Sequence, residues 1–493
     1  MNWWISGMKN FVISAASMNK NYTSVPFYQT RPLPDLNPFE IYCRLATPGA
    51  HSFLLESGKG TPDIARYSFI GTDPYLSFKC KGSTIEFAEP SGTRVLHGDP
   101  LSELRNIFSR IGYQNRNSLP PFFGGAVGYF SYDFVHNFEN LPRIAADDLQ
   151  LPDIHLIFVD FVVAIDHIEQ QMYVIFAPPK DRCATESPDT LCSEWNEKLS
   201  DLDARLKTPP SSTKDIAGIS STLTSVFSKE TYMHRVRKCQ EYIAAGDIYQ
   251  ANLSQRFVVD LDGCEPRSLY QRLREVNPSP FGAFIEFDDV TIVSVSPERL
   301  VRLHNRVADT RPLAGTKQRG KTVDDDSRLT DELLTDPKER AEHVMLVDLE
   351  RNDLGRVCRY GSVQTKEFMA VEQCSHVTHI ASTVQGQLSE SRDAFDLIQA
   401  MFPGGTITGV PKIRCMEILD ELEPITRGPY TGSLGYLSLS GDFDLNILIR
   451  SIIVKGTHGY IQVGAGIVAD SIPEREYEET LLKAEALFAA IRN

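Results

Sequence analysis

Two acidic segments, 337–343 (PKERAEH) and 473–480 (PEREYEET), lie far apart in the sequence and constrain how this chain can fold. Each has two carboxylates at positions i and i+3: Glu339 and Glu342 in the first, Glu476 and Glu479 in the second. On a helix this spacing places both carboxylates on one face, about 60° apart. A chain that gathers four carboxylates from two segments usually does so to hold a divalent cation. The pattern therefore predicts a metal site.

The residue types around these segments favour magnesium as the ion. The ligands are hard oxygens, without the nearby pairs of His or Cys that zinc prefers. Glu342 leads directly into the apolar run 344–347 (VMLV), where a carboxylate is costly unless it is paired or bound to an ion. Lys483 lies on the same helical face as the second acidic pair. We interpret the pattern as an Mg²⁺ site for a small polyanionic substrate; the alternative is a surface helix with solvated charges.

The charge balance and the cysteines restrict the partners and the compartment. A formal net charge of −15 argues against nucleic acid or an anionic membrane as the main partner. No stretch approaches the roughly 18 apolar residues of a membrane span. Nine cysteines are scattered without a CxxC pair, which favours free thiols in a reducing compartment. We therefore expect a cytoplasmic protein that binds neither nucleic acid nor membrane.

Composition along the chain predicts four regions. Residues 1–24 are an uninformative extension, and 25–180 contain short β-branched and aromatic runs that indicate a β-rich N-terminal domain. Residues 181–226 are rich in Asp, Ser, Thr and Pro and are the best linker candidate. Residues 227–493 alternate strand and helix patterns and carry the acidic segments. The predicted fold class is α+β, with the chemistry in the C-terminal domain.

Two glycine-containing stretches are candidates for binding an anion. Residues 402–412 (FPGGTITGVPK) resemble an anion-cradling loop that opens a helix, predicted over 412–422. The stretch is not a Walker A loop, because Val410 and Pro411 separate Gly409 from Lys412. Backbone amides at Gly464 and Gly466 could approach a carboxylate. A plain turn and a tight strand exit are the alternatives for the two stretches.

Three further side chains are individual candidates for chemistry. Arg450 ends an apolar strand pattern, where a guanidinium can bind a carboxylate bidentately or form an ordinary ion pair. Glu298, which follows Pro297, could serve as a general acid, although a lone Glu after Pro is usually structural. His379 lies in a β-like run, where a core or surface histidine is the default interpretation.

Together these segments resemble the chorismate-utilising enzymes, a family that includes anthranilate, aminodeoxychorismate, isochorismate and salicylate synthases. The matching stretches, in order, are 54–57 (LLES), 66–71 (RYSFIG), 311–316 (RPLAGT), 339–357 (ERAEHVMLVDLERNDLGRV), 375–380 (SHVTHI), 402–412 and 464–480 (GAGIVADSIPEREYEET). The resemblance spans roughly residues 25–490. It implies an α+β fold built as a large composite antiparallel β-sheet sandwich with helices.

The resemblance also implies a role for each candidate residue. Mg²⁺ would be bound directly by Glu342 and Glu479, and its waters would be held by Glu339 and Glu476. The carboxylates of chorismate would be bound by Tyr430, Arg450, Lys483 and the amides of Gly464 and Gly466. Glu298 would protonate the leaving hydroxyl, and Thr316 and His379 would line the ring. Most of the rate enhancement is then expected from electrostatic stabilisation of developing charge.

Position 250 distinguishes water-using from ammonia-using members of the family. Water-using members place a Lys general base where this chain has Gln250, within 248–253 (IYQANL). A neutral amide cannot deprotonate water, but it leaves room for ammonia, which needs no activation. Isochorismate and salicylate synthases are therefore disfavoured. The chain has no glutaminase nucleophile motif, so the resemblance implies a separate glutamine amidotransferase subunit that supplies ammonia.

The two ammonia-using branches are harder to separate. Aminodeoxychorismate synthases often carry Lys, as a covalent nucleophile, where this chain has Ala314, which is the residue typical of anthranilate synthases; some aminodeoxychorismate synthases also carry Ala. Four segments are closer to the aminodeoxychorismate branch: 249–253, 310–312, 403–408 and 444–447. We predict component I of an aminodeoxychorismate synthase, which aminates C4 of chorismate. The alternative is component I of an anthranilate synthase, which aminates C2 and eliminates pyruvate.

A third class of function, a tryptophan-sensing subunit, would depend on the N-terminal motif Leu55, Glu56 and Ser57. In tryptophan-sensing anthranilate synthases this motif forms half of the inhibitor pocket, but Tyr-Met usually stands where this chain has Phe281 and Gly282. We therefore favour a structural strand in a buried cleft over active feedback. A non-catalytic tryptophan-sensing subunit is disfavoured as well, because such a subunit has no need to keep four acidic residues together.

Overall fold

A computed structural model describes residues 26–61, 64–113, 119–209, 223–320, 322–373 and 377–492. The predicted extension 1–24 lies outside these residues, as does the segment 210–222 of the predicted linker. The helices are α1 Pro38–Leu45, α2 Pro100–Ile111, α3 Lys180–Thr185, α4 Pro188–Lys207, α5 Lys229–Ala244, α6 Pro266–Val276, α7 Val323–Thr335, α8 Pro337–Gly355, α9 Ala394–Met401, α10 Lys412–Leu422 and α11 Pro473–Arg492. Short 3₁₀ turns span Tyr132–Asn137 and Gly405–Ile407.

The strands in the first half of the chain are β1 Phe27–Pro32, β2 Ser52–Glu56, β3 Tyr67–Thr72, β4 Leu76–Lys81, β5 Thr84–Glu89, β6 Gly92–His97, β7 Gly125–Phe130, β8 Ile154–Val159, β9 Phe161–Asp166, β10 Gln171–Phe176, β11 Thr224–Ser225 and β12 Gln250–Asp260. Those in the second half are β13 Phe281–Glu286, β14 Val290–Ser296, β15 Arg299–His304, β16 Val307–Arg311, β17 Leu313–Gln318, β18 Gln364–Gln373, β19 Val377–Gln387, β20 Gly409–Val410, β21 Ser433–Ser438, β22 Phe443–Ile447, β23 Ser451–Lys455 and β24 His458–Ile467.

The strands form two antiparallel sheets that each combine both halves of the chain. The first has the order β1-β10-β9-β3-β2-β13-β14-β23-β24-β12-β11, with β20 paired to β12. The second has the order β17-β19-β16-β15-β22-β21-β7-β8-β4-β5-β6, with β18 paired to β19. The halves join where β2 pairs with β13 and where β7 pairs with β21. The division into two domains at 181–226 stays a prediction.

The two sheets pack face to face around an aromatic core. Phe69 of the first sheet contacts Tyr436 of the second, with ring centroids 5.4 Å apart, and Phe122 lies 5.0 Å from the same tyrosine ring. Helices cover the outer face of the first sheet, where Tyr42 of α1 and Leu487 of α11 are fully buried. The predicted α+β fold, a composite antiparallel β-sheet sandwich with helices, is therefore confirmed.

Both acidic segments form the first turns of helices, as their spacing predicts. Helix α8 begins after Asp336, whose carboxylate accepts a hydrogen bond of 2.8 Å from the Lys338 amide, and Pro337 occupies the first turn. Such a cap contributes about 1 kcal/mol. Helix α11 begins at Pro473 and carries Glu474 and Glu476 in its first turn, where the helix dipole favours acidic side chains. Within the described ranges, no helix combines the length and the apolarity needed to cross a membrane.

The predicted helix over 412–422 is confirmed as α10, and the loop before it returns to the first sheet. Strand β20 pairs with the start of β12, so that Gly409 lies opposite Ala251. Gly409 has a φ of +134°, and a Cβ there would collide with the backbone of Gln250. Glycine at this position lets the loop approach β12 closely. The loop and β12 thus form one wall of the site described next.

Candidate active site

The site is built on β12 and β24, where three polar side chains lie over two glycines. A Cβ on Gly464 would lie 2.8 Å from Oδ1 of Asn252 and 3.0 Å from the hydroxyl of Tyr430. A Cβ on Gly466 would lie 2.6 Å from Nε2 of Gln250. Any larger residue would therefore displace these polar groups. The structure brings together four residues that the sequence proposed separately: Gln250, Tyr430, Gly464 and Gly466.

Lys483 reaches this surface from α11. Its ammonium donates to the carbonyl oxygen of Gly464 at 3.0 Å and pairs with Glu479 at 2.8 Å. The side chains of Lys483 and Glu479 are 39% and 46% exposed, so the ammonium lies at the border between solvent and the buried Gly464. The ammonium of Lys483 can therefore bind an anion without breaking a fully buried ion pair.

The first acidic pair reaches the site from α8. Gln250 donates from Nε2 to Oε1 of Glu342 at 2.9 Å, which links β12 to α8. Glu339 lies beside Gly315 of β17, because a Cβ on that glycine would be 2.9 Å from Oε2 of Glu339. Gly315 has a φ of +63°, a conformation that favours glycine. Side chains of α8 thus contact both sheets at the site.

The four carboxylates lie in two pairs. Among the described residues, no group of three or more His, Cys, Asp or Glu side chains is close enough together to hold a metal ion. Burial raises the pKa of Glu476; the charge of Glu479 raises it further, whereas Ser471, Lys338 and Lys483 lower it. Because Lys338 belongs to α8, the first turns of the two helices are electrostatic neighbours. The crowded oxygen donors on α11 fit a hard divalent cation, whose charge would relieve their repulsion.

Glu298 lies on the turn between β14 and β15 and is buried. Its carboxyl accepts a long hydrogen bond of 3.4 Å from the Leu313 amide. Burial raises the pKa of Glu298 to about 7, although the Leu313 amide, the Thr406 hydroxyl and the charges of Lys483 and Arg450 all favour the ionised form. A carboxyl with a pKa near neutrality can hold and donate a proton under physiological conditions.

His379 of β19 is also buried, and it is uncharged at neutral pH. Burial lowers its pKa to about 4, and the charges of Arg450 and Lys483 contribute, while a hydrogen bond to Gly315 opposes the shift. Nδ1 lies 3.0 Å from the carbonyl oxygen of Gly315, so it must carry the proton, which leaves Nε2 as an acceptor. The same two cations thus act on both Glu298 and His379, and the four residues form one electrostatic cluster.

The remaining candidates lie at the edges of this cluster. Arg450 follows β22 with a φ of +52°, and its carbonyl accepts a hydrogen bond of 3.1 Å from Val295. Burial raises the pKa of Tyr430, whose phenol therefore stays a hydrogen-bond donor. The backbone of Thr316 pairs with His379 between β17 and β19, but its side chain lies outside the described residues.

Three residues near the cluster were missed individually by the sequence analysis. Asn252 donates from Nδ2 to the Ile407 carbonyl at 3.1 Å and so ties β12 to the loop before α10. Thr406 of that loop lies beside Glu298. Glu350 is buried in α8. A signal for Glu350 was present, because it falls on the helical stripe of His343, Val347 and Leu354, which is otherwise uncharged.

A separate cavity of about 560 Å³ lies between the two sheets and is lined in part by Leu55, Glu56 and Ser57. Phe281, Gly282, Arg299, Tyr436 and Asp444 also line it. Glu56 pairs with Arg274 at 2.5 Å and accepts a hydrogen bond of 2.8 Å from Tyr270. We refer to this space as the inter-sheet cavity. Leu55 and Glu56 thus lie on β2 in a buried cleft. The structural role favoured above and the possible tryptophan pocket both stay hypotheses.

Comparison with known sequences identifies a family and several relatives of this chain. The family model described as chorismate binding enzyme matches residues 33–489. The chain is 42% identical over 490 residues to anthranilate synthase component 1 of Acetivibrio thermocellus, covering 96% of each chain. It is also 42% identical over 452 residues to aminodeoxychorismate synthase component 1 of Bacillus subtilis, covering 91% of this chain and 93% of that one.

Solved structures of two chorismate-utilising enzymes superpose on this chain. Anthranilate synthase component I of Streptococcus pneumoniae superposes with a TM-score of 0.77 at 33% identity, covering 93% of this chain and 98% of that one. The menaquinone-specific isochorismate synthase of Escherichia coli shares the fold, with a TM-score of 0.67 at 16% identity and 95% of both chains covered.

Proposed function

The chain belongs to the chorismate-binding enzyme family, and we propose that it is component I of an aminodeoxychorismate synthase. It is a chorismate-utilising enzyme of the anthranilate or aminodeoxychorismate synthase component I type. The proposed reaction replaces the C4 hydroxyl of chorismate by an amino group. The observation that carries the proposal is the cluster of Glu298, His379, Arg450 and Lys483 beside the glycines of β24.

The cluster suits a substrate with two carboxylates. Lys483 and Arg450 supply positive charge, and their effects on Glu298 and His379 support a common location. The phenol of Tyr430 faces Gly464 and can donate to a carboxylate. Where such a donor is buried, as Tyr430 is, it acts on charge with little screening by water. We propose that these groups, with the amides of Gly464 and Gly466, bind the carboxylates of chorismate.

Glu298 is the proposed proton donor to the leaving hydroxyl. Its pKa of about 7 means that a large fraction carries a proton at neutral pH. Hydroxide is a poor leaving group, so departure of the C4 oxygen requires protonation. His379, neutral and with Nε2 as an acceptor, is proposed to line the ring rather than to carry charge.

We propose Mg²⁺ as the cofactor, because all four candidate ligands are carboxylates of the kind that the ion prefers. Glu342 and Glu479 would bind it directly, and Glu339 and Glu476 would hold its waters. The ion, when bound, would neutralise the ring carboxylate of chorismate. Gln250 and Lys483, the present partners of Glu342 and Glu479, are the protein groups that would have to share these oxygens.

Ammonia is the proposed nucleophile. Gln250 donates its amide hydrogen to Glu342 and has no basic group with which to activate water. An amine needs no such activation. The names of the relatives as component 1 support a partner subunit, and we propose a glutamine amidotransferase that delivers ammonia.

One observation favours the second candidate, anthranilate synthase component I. Ala314 is buried in β17 opposite Ile380 and offers no nucleophile for covalent attack at the ring. The first candidate is supported by the surroundings of Glu298, where segments that resemble the aminodeoxychorismate branch meet. Thr406 approaches Glu298 itself, and Asp444 pairs at 2.9 Å with Arg299, the residue after it.

Product analysis tests the proposal. The purified chain is incubated with chorismate, Mg²⁺ and excess ammonium at pH 7, and products are separated with and without aminodeoxychorismate lyase. We expect an aminated chorismate that yields p-aminobenzoate only when the lyase is present. Accumulation of anthranilate and pyruvate without the lyase would establish the second candidate. Absence of any aminated product would revive the non-catalytic subunit.

A further inference from the structure

Glu350 is a buried acidic residue that has no role in the reaction proposed above. It lies in the middle of α8, two helical turns beyond Glu342, and is 4% exposed. It shares its face of the helix with Val347 and Leu354, which belong to the main core. A carboxyl group in such surroundings is costly unless it is neutral or fully bonded. Its state therefore has to follow from its neighbours.

The hydrogen bond that Glu350 accepts from Thr310 is a weak one. Oε2 lies 3.3 Å from the hydroxyl of Thr310, and that hydroxyl donates to the carbonyl oxygen of Leu300 at the shorter distance of 2.7 Å. A threonine has one hydroxyl proton, which the shorter bond uses. Thr310 therefore gives a carboxylate at position 350 little stabilisation, whereas the protonated acid could itself donate to the threonine oxygen.

The charges that face Glu350 favour the same state. Burial raises its pKa to about 8, and the negative charges of Asp353 and Glu298 also raise it. Lys412 and Thr310 oppose the shift, but the ammonium of Lys412 already pairs with Asp353 at 2.5 Å. The uncharged form of Glu350 is therefore favoured near pH 7, one turn before Asp353, which pairs with Lys412.

Glu350 and Glu298 lie on opposite sides of one short turn. A Cβ on Gly405 would lie 3.6 Å from Oε1 of Glu350 and would collide with Leu349, so α8 packs directly against the backbone of this glycine. The next residue, Thr406, has a buried hydroxyl that makes no hydrogen bond but lies near enough to Glu298 to favour its ionised form. A change in the support of Gly405 must therefore move a hydroxyl that acts on the proposed proton donor.

We propose that Glu350 is a positioning residue, which supports the turn of Gly404, Gly405 and Thr406 as an uncharged carboxylic acid and thereby sets the surroundings of Glu298. The proposal rests on the proposed role of Glu298 as proton donor. Among the described residues, the titratable groups that act on Glu298 are the cations Lys483 and Arg450 and, from behind the turn, Glu350. The two cations are the proposed substrate-binding groups, so Glu350 is the one without a role in binding.

Two substitutions separate the neutral acid from a carboxylate. Glu350→Gln keeps the size and can donate from its amide to Thr310, and we expect kcat, KM and the pH profile to stay within about twofold of wild type. Glu350→Leu keeps the volume but removes the donor. We expect kcat to fall roughly tenfold to a hundredfold with little change in KM, as for small misplacements of reacting groups. The alkaline limb of the profile should move to higher pH, because Glu298 loses the Thr406 hydroxyl that favours its ionised form.

Asp353→Asn is the matched control, since it makes the same change of acid to amide one turn later on α8. It removes the charge that pairs with Lys412, and we expect a loss of thermal stability that Glu350→Gln does not show. Loss of kcat in Glu350→Gln equal to that in Glu350→Leu would overturn the proposal, because a carboxylate would then be required. Wild-type kcat and pH profile in Glu350→Leu would overturn it as well.

An infrared measurement tests the protonation state without turnover. The difference spectrum between wild type and Glu350→Gln at pH 7 should contain the carbonyl band of a protonated carboxylic acid. If the wild type makes no aminated product, the proposed function fails, whereas this band would still be present. If the wild type is active and the band is absent, the inference about Glu350 fails while the proposed function stands.

Discussion

The inter-sheet cavity and the candidate active site are both lined by buried charged side chains, but they satisfy these charges in different ways. In the cavity, charges meet opposite charges of the protein, as when Glu56 pairs with Arg274 at 2.5 Å and Arg299 with Asp444 at 2.9 Å. In the candidate active site, Glu298 accepts a long hydrogen bond of 3.4 Å from a backbone amide. The buried charges of the cavity thus contact one another, whereas in the candidate active site Glu298 contacts a backbone amide and the pair of Lys483 and Glu479 lies at the border with solvent.

The protonation equilibria of the active site follow from this difference. Burial moves the pKa of Glu298 up to about 7 and that of His379 down to about 4. Both shifts favour the uncharged form, which is the expected effect of desolvation. Groups with such shifts in a cleft are candidates for function. Glu298, on the turn between β14 and β15, and His379, on β19, therefore stay the proposed catalytic groups in preference to those of the inter-sheet cavity.

The largest effect on turnover is expected from the carboxylates of the proposed metal site. Glu342→Gln and Glu479→Gln should each lower chorismate turnover by roughly a hundredfold or more and abolish its dependence on Mg²⁺, since a hard cation needs charged oxygen ligands. Initial rates measured against Mg²⁺ concentration test this. Glu478→Gln, at an exposed position of the same helical turn, is the control and should behave like wild type. Substantial activity in either ligand variant would refute the metal assignment.

The second-largest effect on turnover is expected from the loss of the proton that Glu298 is proposed to donate. Turnover should fall as the pH rises through about 7, because the carboxyl must be protonated to donate. Glu298→Gln should lower kcat by about a hundredfold and remove this limb of the profile. Rates from pH 6 to 9, with circular dichroism to verify folding, measure both. An alkaline limb that persists in the variant would assign the titration to another group and weaken the contrast with the cavity.

Much of the fold could be predicted from local patterns. The i, i+3 acids after Pro337 and Pro473 predicted the starts of α8 and α11, and the glycine loop predicted α10. The pairing of β2 with β13 and of β7 with β21 could not be read from periodicity, because alternation specifies which face of a strand is buried but not which strand lies beside it. The resemblance to a family, rather than the patterns, supplied the composite sandwich.

The residues of the candidate site could be predicted from the sequence, but the contacts between these residues could not. Gln250 was proposed from the residue type at one position, yet its bond to Glu342 joins residues that are distant in sequence. For Glu350, the sequence shows that an acidic residue lies on an apolar stripe of a helix. It does not show how that acidic residue is stabilised. Whether such a residue is paired, bound to an ion or protonated depends on tertiary neighbours such as Thr310.

The smallest effect on turnover is expected in the cavity, where a substitution should cost stability instead. Arg274→Met leaves the buried carboxylate of Glu56 with Tyr270 as its hydrogen-bond donor and without its cation. We expect the free energy of unfolding to fall by about 2 to 4 kcal/mol, since removing one partner of a buried pair leaves an uncompensated charge. Urea unfolding measures this loss. Arg274→Lys keeps the charge and should recover part of the stability.

For this variant, kcat per folded molecule should stay within about twofold of wild type, because Arg274 acts on α6 and β2 and not on the cluster around Glu298. Chorismate turnover at a temperature well below the unfolding transition tests that expectation. A large fall in kcat with unchanged stability would mean that the cavity and the active site are coupled through the sheets. The paired charges of the cavity would then belong to the catalytic apparatus, and the distinction between the two regions would be lost.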